Sequence, residues 1–321
     1  MKTNDRVMGK TAGFTIVELL TVMAVIAILI GLLVPALNQV HDKANDLQQR
    51  VQFHAIDVGL ELYKSEYNEY PPSVDNLERA DADGNKNNLT AYCGANKLAE
   101  ALVGWDLLGF HPKSEFTAEG NDTNGTVTDR VLIYDAGNTN SVIANENIEE
   151  RSDLFLELEK ANAFRYEDLY DNATLSGPGL NPLNFVLCDS YTKRRAISGK
   201  KTGTPILYFR ANTQQTLQRS VILNSSDVPT SEEFGDDVFN YWDNNSILRL
   251  GSVEDGTEHP LHDDTNDPRL EDFYEFDEIL LNEQVSDIPV PFRAQSYVLM
   301  SAGKDGLFGN SDDIYNFEKE K

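Results

Sequence analysis

The chain has 321 residues, which is long enough to bury a hydrophobic core without the help of disulfides or structural metals. It carries 27 basic and 53 acidic side chains, a formal net charge of -26. A surface this acidic repels phosphate backbones, so the composition argues against nucleic acid as a partner. Residues 1–66 hold six basic and seven acidic side chains, so nearly all of the acidic excess lies beyond them.

The N-terminal region contains an apolar segment of membrane-spanning length. The 22 residues Leu19–Val40 have no charged side chain and are mostly Leu, Ile, Val and Ala. Before this segment, Lys2, Arg6 and Lys10 outnumber Asp5, and a positive flank of this kind stays on the cytoplasmic side. The sequence therefore predicts one membrane span with its N-terminus inside. An ordinary secretory signal would instead have a shorter apolar run and a cleavage site beyond it.

Glu18 stands directly before the apolar segment. A carboxylate at this depth costs several kcal/mol unless another group pairs with it, so Glu18 indicates a partner supplied by another molecule. The residue belongs to the stretch Gly13-Phe14-Thr15-Ile16-Val17-Glu18-Leu19-Leu20. This stretch resembles the processing site of type IV pilin-like proteins, a family that includes the major pseudopilins of type II secretion systems.

The resemblance implies that residues 1–13 are a leader, which a prepilin peptidase removes by cutting between Gly13 and Phe14. It also implies that Phe14 is N-methylated and that residues 14–40 remain as a transmembrane and filament-core helix. The new α-amine is a cation at neutral pH, so in a filament it can neutralise Glu18 of a neighbouring copy. Pro35 lies where family members often carry a proline, which permits a kink.

Residues 41–70 are predicted to form an amphipathic stem that continues the same helix from Phe14 to about Tyr67. Apolar residues recur every three or four positions in two stripes, and both stripes are expected to pack on a globular domain. The first stripe contains Leu47, Val51, Ala55, Val58 and Leu62, and the second contains Phe53, Ile56, Leu60, Tyr63 and Tyr67. The helix should end before Pro71, because proline cannot continue it.

Residues 71–321 are expected to form a periplasmic globular domain. The stretch 73–153 reads as a long irregular insertion, and a second insertion of helix or loop is expected at 231–284. Helices are predicted at Lys97–Leu108 and Leu154–Glu167, and strands at Val131–Tyr134, Asn184–Asp189, Pro205–Arg210 and Ser296–Ser301. The predicted fold class is α+β, a pilin-like arrangement in which a long transmembrane and stem helix packs on a small antiparallel β-sheet.

The C-terminal stretch 301–317 is an acidic loop. Its oxygen-bearing side chains crowd into nine residues, with glycines at 303, 306 and 309 to turn the backbone: Asp305, Asn310, Asp312 and Asp313. Calcium takes six to eight such oxygen ligands, so the loop is a candidate calcium site. It also resembles the calcium-binding loop of major pseudopilins, which implies Asp305, Asp312 and Asp313 as carboxylate ligands and Asn310 as a weaker one. The alternative is a solvated acidic turn.

Three further features leave alternatives open. Cys93 and Cys188 could form a disulfide or be buried thiols, because their spacing alone does not decide. The segment Asp81–Asn87 has alternating oxygen ligands, but it lacks the glutamate of an EF-hand and reads as a weak metal candidate. His259 and His262 flank a proline in a segment interpreted as a loop rather than as a catalytic site, and His41 and His54 are interpreted as stem or solvent-facing residues.

The resemblance covers residues 1–72 and 296–317, whereas the middle of the chain departs from it. It implies a structural subunit of a type II secretion pseudopilus and not an enzyme, held in the bacterial inner membrane with its globular domain in the periplasm. The implied partners are a prepilin peptidase, further copies of the chain, other pseudopilins and an inner-membrane assembly platform. The alternatives are a type IV pilin for adhesion, motility or DNA uptake, and a membrane-anchored periplasmic enzyme.

Overall fold

The computed structural model describes residues 15–75, 90–121, 132–177, 179–218, 237–262, 271–282, 284–285 and 288–319. The chain divides into two compact units, Met1–Asn45 and Asp46–Lys321. The helices are α1 (Ile16–Tyr67), α2 (Gly94–Val103), α3 (Ser141–Glu149), α4 (Leu158–Ala161), α5 (Tyr166–Leu169), α6 (Asn172–Ser176), α7 (Asn245–Leu248) and α8 (Glu271–Leu280). The strands are β1 (Ala163–Arg165), β2 (Phe185–Leu187), β3 (Lys193–Arg194), β4 (Lys201–Thr202), β5 (Leu207–Arg210), β6 (Tyr297–Ser301) and β7 (Ile314–Tyr315).

Helix α1 is a single element of 52 residues, and its end agrees with the prediction. The helix ends at Tyr67, and Asn68 follows with a φ of 66°. An asparagine in this left-handed conformation is a common helix terminator, and Pro71 then prevents any continuation. From Asp46 onward, the stem belongs to the same compact unit as the globular region, which is called the head below.

A three-stranded antiparallel sheet lies at the centre of the head. The strand order is β5-β6-β7, and Tyr208 of β5 pairs with Leu299 of β6. Two further pairs, β1-β2 and β3-β4, form separate two-stranded sheets. The head is therefore α+β, with small antiparallel sheets beside a long helix.

The two faces of the central sheet cover two different parts of the core. Successive strand residues point to opposite faces. Leu207, Phe209 and Met300 belong to the cluster that also contains Phe276 of α8. Residues on the other face pack with the stem and α2, in a cluster that contains Tyr208, Tyr297, Leu299, Phe53, Ile56, Leu60 and Leu98. The sheet is thus enclosed on both sides.

The two predicted stem stripes differ in how far they pack on the head. Phe53, Ile56, Leu60 and Tyr63 of the second stripe are buried, as predicted. The first stripe was predicted to pack as well, and this is correct only for Ala55, which packs against the core. The large apolar side chains of this stripe stay 48% to 64% exposed, at Leu47, Val51, Val58 and Leu62. One helix face can contact the head at a time, and the face with the aromatic residues is the one that does.

The stretch interpreted as an irregular insertion contributes to the core. All ten residues of α2 are buried, including Lys97 and Glu100. Glu100 accepts hydrogen bonds from the hydroxyls of Tyr92 and Ser114, and the Lys97 ammonium donates to the Val74 carbonyl. Because its charged side chains have such partners, this helix can sit inside the head. The second predicted insertion likewise supplies buried residues from α7 and α8.

Several local predictions need correction. The helix predicted over Leu154–Glu167 is replaced by α4, strand β1 and the start of α5. The strand predicted at Val131–Tyr134 is reduced to an isolated bridge of Leu132, and Val131 lies outside the described residues. The strand predicted at Asn184–Asp189 is shorter and coincides with β2. The other predictions agree with α2, β5 and β6 to within a few residues.

Candidate assembly helix and C-terminal loop

The first part of α1 is an apolar surface without a cover. Every large apolar side chain from Ile16 to Val40 is 48% to 79% exposed. Helix α1 is long and apolar enough to cross a membrane, and it lies near the N-terminus of the described chain. An apolar surface of this extent is unfavourable in water, and its length and composition are those of a membrane span. Pro35 lies inside this part of the helix, as predicted.

The predicted cleavage site is only partly described. Gly13 and Phe14 lie outside the described residues, and Thr15 is the first residue within them. Glu18 lies in the first turn of α1.

Glu18 is hydrogen-bonded within its own chain. Its carboxylate accepts from the Thr15 N–H at 2.9 Å and from the Thr15 hydroxyl at 2.9 Å, while the Glu18 N–H donates to Thr15 Oγ1 at 3.2 Å. This reciprocal pattern is a capping box, which satisfies free N–H groups at a helix start. Glu18 thus has a hydrogen-bond partner in its own chain, which the sequence analysis did not predict. Because Thr15 is uncharged, these hydrogen bonds do not neutralise the charge of the carboxylate.

Thr15 is a residue whose role the sequence reading missed. A serine or threonine followed three residues later by glutamate, before an apolar run, is the sequence signature of a capping box. Residues 15–18 therefore match both a capping box and part of the pilin-like processing motif. The glutamate can cap the helix and still carry its negative charge.

The C-terminal loop connects β6 to β7, and its glycines are required by its backbone. Gly303, Gly306 and Gly309 all have positive φ, between 64° and 97°. A Cβ atom on Gly303 would lie 2.2 Å from the carbonyl oxygen of Asp312, and one on Gly309 would lie 2.6 Å from the Leu261 nitrogen. Other residues would clash or be strained here, which explains the three glycines.

The loop carboxylates bind the loop's own backbone. Asp312 accepts hydrogen bonds from the N–H groups of Lys304 at 2.8 Å and Asp305 at 3.1 Å. Asp313 accepts from the N–H groups of Gly309 at 2.8 Å and Asn310 at 3.1 Å. In addition, the Asn310 amide donates to Asp305 at 2.9 Å. All four predicted ligands are therefore brought together in one loop, where they hold its turns.

One carboxylate oxygen of Asp313 takes no part in this hydrogen-bond network. Its Oδ1 atom is buried and has no hydrogen-bond partner among the described residues. Burial raises the pKa of the Asp313 carboxyl to about 7, although the hydrogen bonds from Gly309 and Asn310 oppose this. A cation beside Oδ1 would compensate the buried charge. However, within the described residues no three acidic, histidine or cysteine side chains converge in a way that could hold a metal ion.

The regions at both ends of the loop form hydrogen bonds with other parts of the chain. At the start, the Ser301 hydroxyl donates to Asp189 Oδ2 at 3.0 Å, and Asp189 also accepts from the N–H groups of Tyr191 and Thr204. Asp189 is fully buried, and burial raises its pKa to about 7. Beyond the loop, Asn316 reaches the stem. The loop therefore has a fixed position on the head.

Asp57 is the stem residue that forms hydrogen bonds with the C-terminal part of the head. It accepts a hydrogen bond from the Tyr297 hydroxyl at 2.6 Å and from the Asn316 amide at 3.3 Å. The Arg293 guanidinium lies 3.6 Å from the same carboxylate. One stem carboxylate thus joins the first helix to the last strands of the head.

The histidine segment packs against the C-terminal loop. The His259 ring contacts the Phe308 ring edge-on at a centroid distance of 4.9 Å, and His259 Nδ1 accepts from the Phe308 N–H at 3.3 Å. His259 is buried, which lowers its pKa to about 4. Tyr241 lies 3.4 Å from His262 Nδ1 and donates its hydroxyl to the Leu261 carbonyl. These contacts give the segment a packing role.

The remaining candidate residues lie in the core, on the stem or outside the described residues. Cys93 and Cys188 are both free thiols and fully buried, so the alternative of a disulfide is excluded in this structure. The weak metal candidate Asp81–Asn87 lies outside the described residues. His41 and His54 are exposed on α1, in agreement with their interpretation.

Comparisons of this chain with family models, with curated proteins and with solved structures found no match. Its function is therefore inferred from the residues and their geometry.

Proposed function

We propose that this chain is a structural subunit of a pilin-like filament, specifically a pseudopilus of a type II secretion system. The observation that carries the proposal is the exposed apolar part of α1, which follows a Gly-Phe-Thr-Ile-Val-Glu sequence and continues into a stem packed on a head. A helix of this kind can lie in a membrane before assembly and against other copies afterwards.

In the proposed mechanism, a prepilin peptidase cuts between Gly13 and Phe14, and Phe14 is N-methylated. The inner-membrane assembly platform then adds the subunit to a growing filament of its own copies and other pseudopilins. The α-amine of Phe14 pairs with Glu18 of a neighbour in a low-dielectric core, where unpaired charges are costly. Pro35 removes one helix hydrogen bond and permits local bending as the helix leaves the bilayer. Growth of the filament pushes exported proteins outward.

Two alternative functions can be distinguished from this proposal. A type IV pilin for adhesion, motility or DNA uptake would assemble in the same way, and the genes beside this one would then encode a retraction ATPase instead of a secretin and a secretion ATPase. A membrane-anchored periplasmic enzyme would need a catalytic site in the head. The histidine segment does not favour this, because His259 is buried against Phe308.

Leader processing tests the proposal. The full-length chain is produced together with a prepilin peptidase, and the N-terminus of the membrane-bound product is determined by mass spectrometry. We expect a product that begins at methylated Phe14, and we expect Gly13→Val to abolish cleavage and filament formation. Gly31→Val serves as a matched control for cleavage, because a Cβ on Gly31 meets nothing within 4 Å. A Gly13→Val chain that still assembles would contradict the proposal.

We also propose that the C-terminal loop binds a structural calcium ion. Asp305, Asp312 and Asp313 would supply carboxylate oxygens and Asn310 an amide oxygen, after a local rearrangement of the hydrogen bonds that now hold them. The buried Oδ1 of Asp313 supports this, because it is an acceptor for which the described residues provide no donor. The ion would add positive charge to a loop in which Asp312 and Asp313 are adjacent.

Chelation tests the calcium proposal separately. The melting temperature of the full-length chain in detergent is measured with calcium and with a chelator. We expect calcium to raise the melting temperature of the wild type, and we expect no such response in Asp312→Asn. Asp255→Asn, at an exposed acidic residue outside the loop, should respond as the wild type does. A chelator without effect on the wild type would overturn the site and leave the filament proposal standing.

A further inference from the structure

The head contains a polar cavity of about 350 Å³ beside the end of strand β5. Small-molecule sites in proteins have volumes of about 300–1,000 Å³, so this cavity is large enough to hold a small ligand. Its lining comes from three stretches of the chain, within residues 72–74, 210–214 and 237–243. The first stretch follows the stem and the second continues from β5, so the fold of the head brings the lining together.

Asp243 is a buried carboxylate in the lining of this cavity. It lies in the 3-10 helix Tyr241–Asn244 and is only 2% exposed. Its Oδ2 atom accepts a hydrogen bond from the Ser73 hydroxyl. Its Oδ1 atom is buried and has no hydrogen-bond partner among the described residues. A buried acceptor without a donor is unfavourable, so a donor that enters the cavity would stabilise Asp243.

The charged side chains of the lining favour a positively charged donor. Asp237 lines the same cavity and is also buried, so two carboxylates belong to the lining. The basic residue in the described lining is Arg210, and its guanidinium already forms an ion pair with Glu69 at 2.8 Å. The cavity therefore has an excess of negative charge that a cationic ligand would reduce.

The pKa of Asp243 is consistent with this excess. Burial raises the pKa of the Asp243 carboxyl to about 7. The hydrogen bond from Ser73 and the charge of Lys97 act to lower it, whereas the charge of Asp75 acts to raise it further. The groups that surround Asp243 in the folded chain thus do not fully compensate the cost of its charge.

We propose that this cavity binds the ammonium group of a small organic amine, with Asp243 as its carboxylate partner. A metal ion fits the lining less well, because no three acidic, histidine or cysteine side chains of the described residues converge in a way that could hold one. An ammonium group has three donors, which one carboxylate and neutral acceptors can satisfy. The side-chain amides of Asn212 and Gln214 provide such acceptors in the lining. This inference goes beyond the proposed filament, because the cavity belongs to a single head.

Ligand-detected NMR of the full-length chain in detergent tests this site. The probes are propylamine and propan-1-ol, which has a similar size but no charge. We expect saturable binding of propylamine that is at least about tenfold tighter than any binding of propan-1-ol, because a hydrogen bond to a charged group is the stronger one. Equal binding of the two probes would overturn the proposal, and so would the absence of saturable propylamine binding.

Substitution of Asp243 tests which carboxylate is responsible. Asp243→Asn keeps an acceptor for Ser73 but removes the charge, so it should weaken propylamine binding at least about tenfold. Asp189→Asn is the matched control, because Asp189 is also fully buried with a pKa raised to about 7 but does not line the cavity. It should bind propylamine as the wild type does. Wild-type binding by Asp243→Asn would contradict the proposal.

A second variant leaves the carboxylate in place. Thr213 is an exposed residue of the lining, so Thr213→Trp should narrow the cavity, weaken propylamine binding several-fold and leave the melting temperature unchanged. Unaltered binding by this variant would place the amine elsewhere and overturn the proposal. Melting temperatures of all three variants show whether each one is folded.

A further probe distinguishes two sources of the amine. Nα-acetyl-lysine methylamide presents the same ammonium group on a peptide-like backbone. Binding as tight as that of propylamine would support recognition of a lysine side chain on a partner chain, whereas much weaker binding would support a free small amine. None of these measurements requires a filament, so a negative result here would leave the filament proposal standing, and failure of assembly would leave this site standing.

Discussion

Thr15 and Glu18 exchange hydrogen bonds across the first turn of α1, each accepting from the backbone N–H of the other. This arrangement gives Glu18 a role as a helix cap in addition to the role proposed for its charge. One of its carboxylate oxygens, Oε2, accepts hydrogen bonds within its own helix, whereas in the proposed filament its charge would pair with a neighbour. The capping role depends on an acceptor oxygen, and the pairing role depends on the negative charge. Substitutions can therefore separate the two roles.

The first prediction separates the capping role of Glu18 from its charge. Glu18→Gln keeps an acceptor that can cap the helix but removes the charge, so we expect normal leader cleavage and strongly reduced filament yield. Thr15→Ala removes the capping hydroxyl at a cost of about 1 kcal/mol to the helix start and should reduce the yield much less. Cleavage is followed by mass spectrometry and filaments by shearing and sedimentation. Full assembly of Glu18→Gln would refute the charge pairing.

The second prediction compares the two faces of the stem. Leu60 is fully buried, so Leu60→Ala should destabilise the head by about 2–5 kcal/mol. Leu62 is 53% exposed, so Leu62→Ala should change the stability by no more than about 0.5 kcal/mol. Denaturant unfolding of the full-length chain in detergent measures both. Equal losses would mean that the stem packs with a different face.

The stem is also where prediction from sequence reached its limit. The length of α1 was predictable, because apolar spacing continues to Tyr67 and prolines follow. Both stripes, however, are apolar at helical spacing, and spacing does not say which of them meets the head. Ile56 packs in one core cluster with Tyr208 and Leu299, whereas Val58 is 48% exposed, and only the tertiary structure reveals this difference.

In the head, too, some elements were predictable from the sequence and others were not. Strands β5 and β6 were predictable from alternation and β-branched or aromatic content, since each strand is short and bounded by turns. The burial of α2 was not predictable, because Lys97 and Glu100 read as solvent-facing residues until their partners are known. Among the candidate site residues, the acidic loop was found from composition, while the contact of Phe308 with His259 joins residues 49 positions apart.

The third prediction concerns the two cysteines. Both thiols are free and fully buried, and burial raises the pKa of Cys93 to about 12. The thiolate is the reactive form, so iodoacetamide should leave both residues unmodified in the folded chain and modify both in denaturant. Intact mass measures the number of adducts. A reducing agent should not change the melting temperature; a lowered value would indicate a disulfide after all.

The fourth prediction concerns pH and Asp189. Burial raises the pKa of this carboxyl from 3.8 to about 7, so the folded chain binds a proton more tightly than the unfolded chain does. Its contribution to stability is complete below about pH 4 and is lost as the pH rises through about 7. Asp189→Asn removes this loss while keeping an acceptor for Tyr191 and Thr204. Melting temperatures between about pH 5 and pH 8 should therefore fall less in Asp189→Asn than in the wild type.

Other buried groups also contribute to the pH dependence of stability. Asp243 and Asp313 also have pKa values raised to about 7 by burial, so the pH dependence should be reduced but not abolished in Asp189→Asn. His259 acts in the opposite direction: its pKa is lowered to about 4, so it destabilises the fold as the pH falls below about 6.5. An unchanged slope above about pH 6 in Asp189→Asn would contradict the prediction.

The hydrogen bonds to Asp57 join the beginning of the chain to its end. Tyr297 and Asn316 stand 240 and 259 positions after this stem residue. A ribosome makes the stem first, so the part of its inward face that packs on Tyr297 and Leu299 remains without a cover until almost the entire chain has been synthesised. Folding that depends on such distant contacts is slow, and exposed apolar faces invite aggregation in the meantime. The head can close around its stem only after synthesis is nearly complete, which makes the interval before closure the stage at which a nascent chain most needs protection.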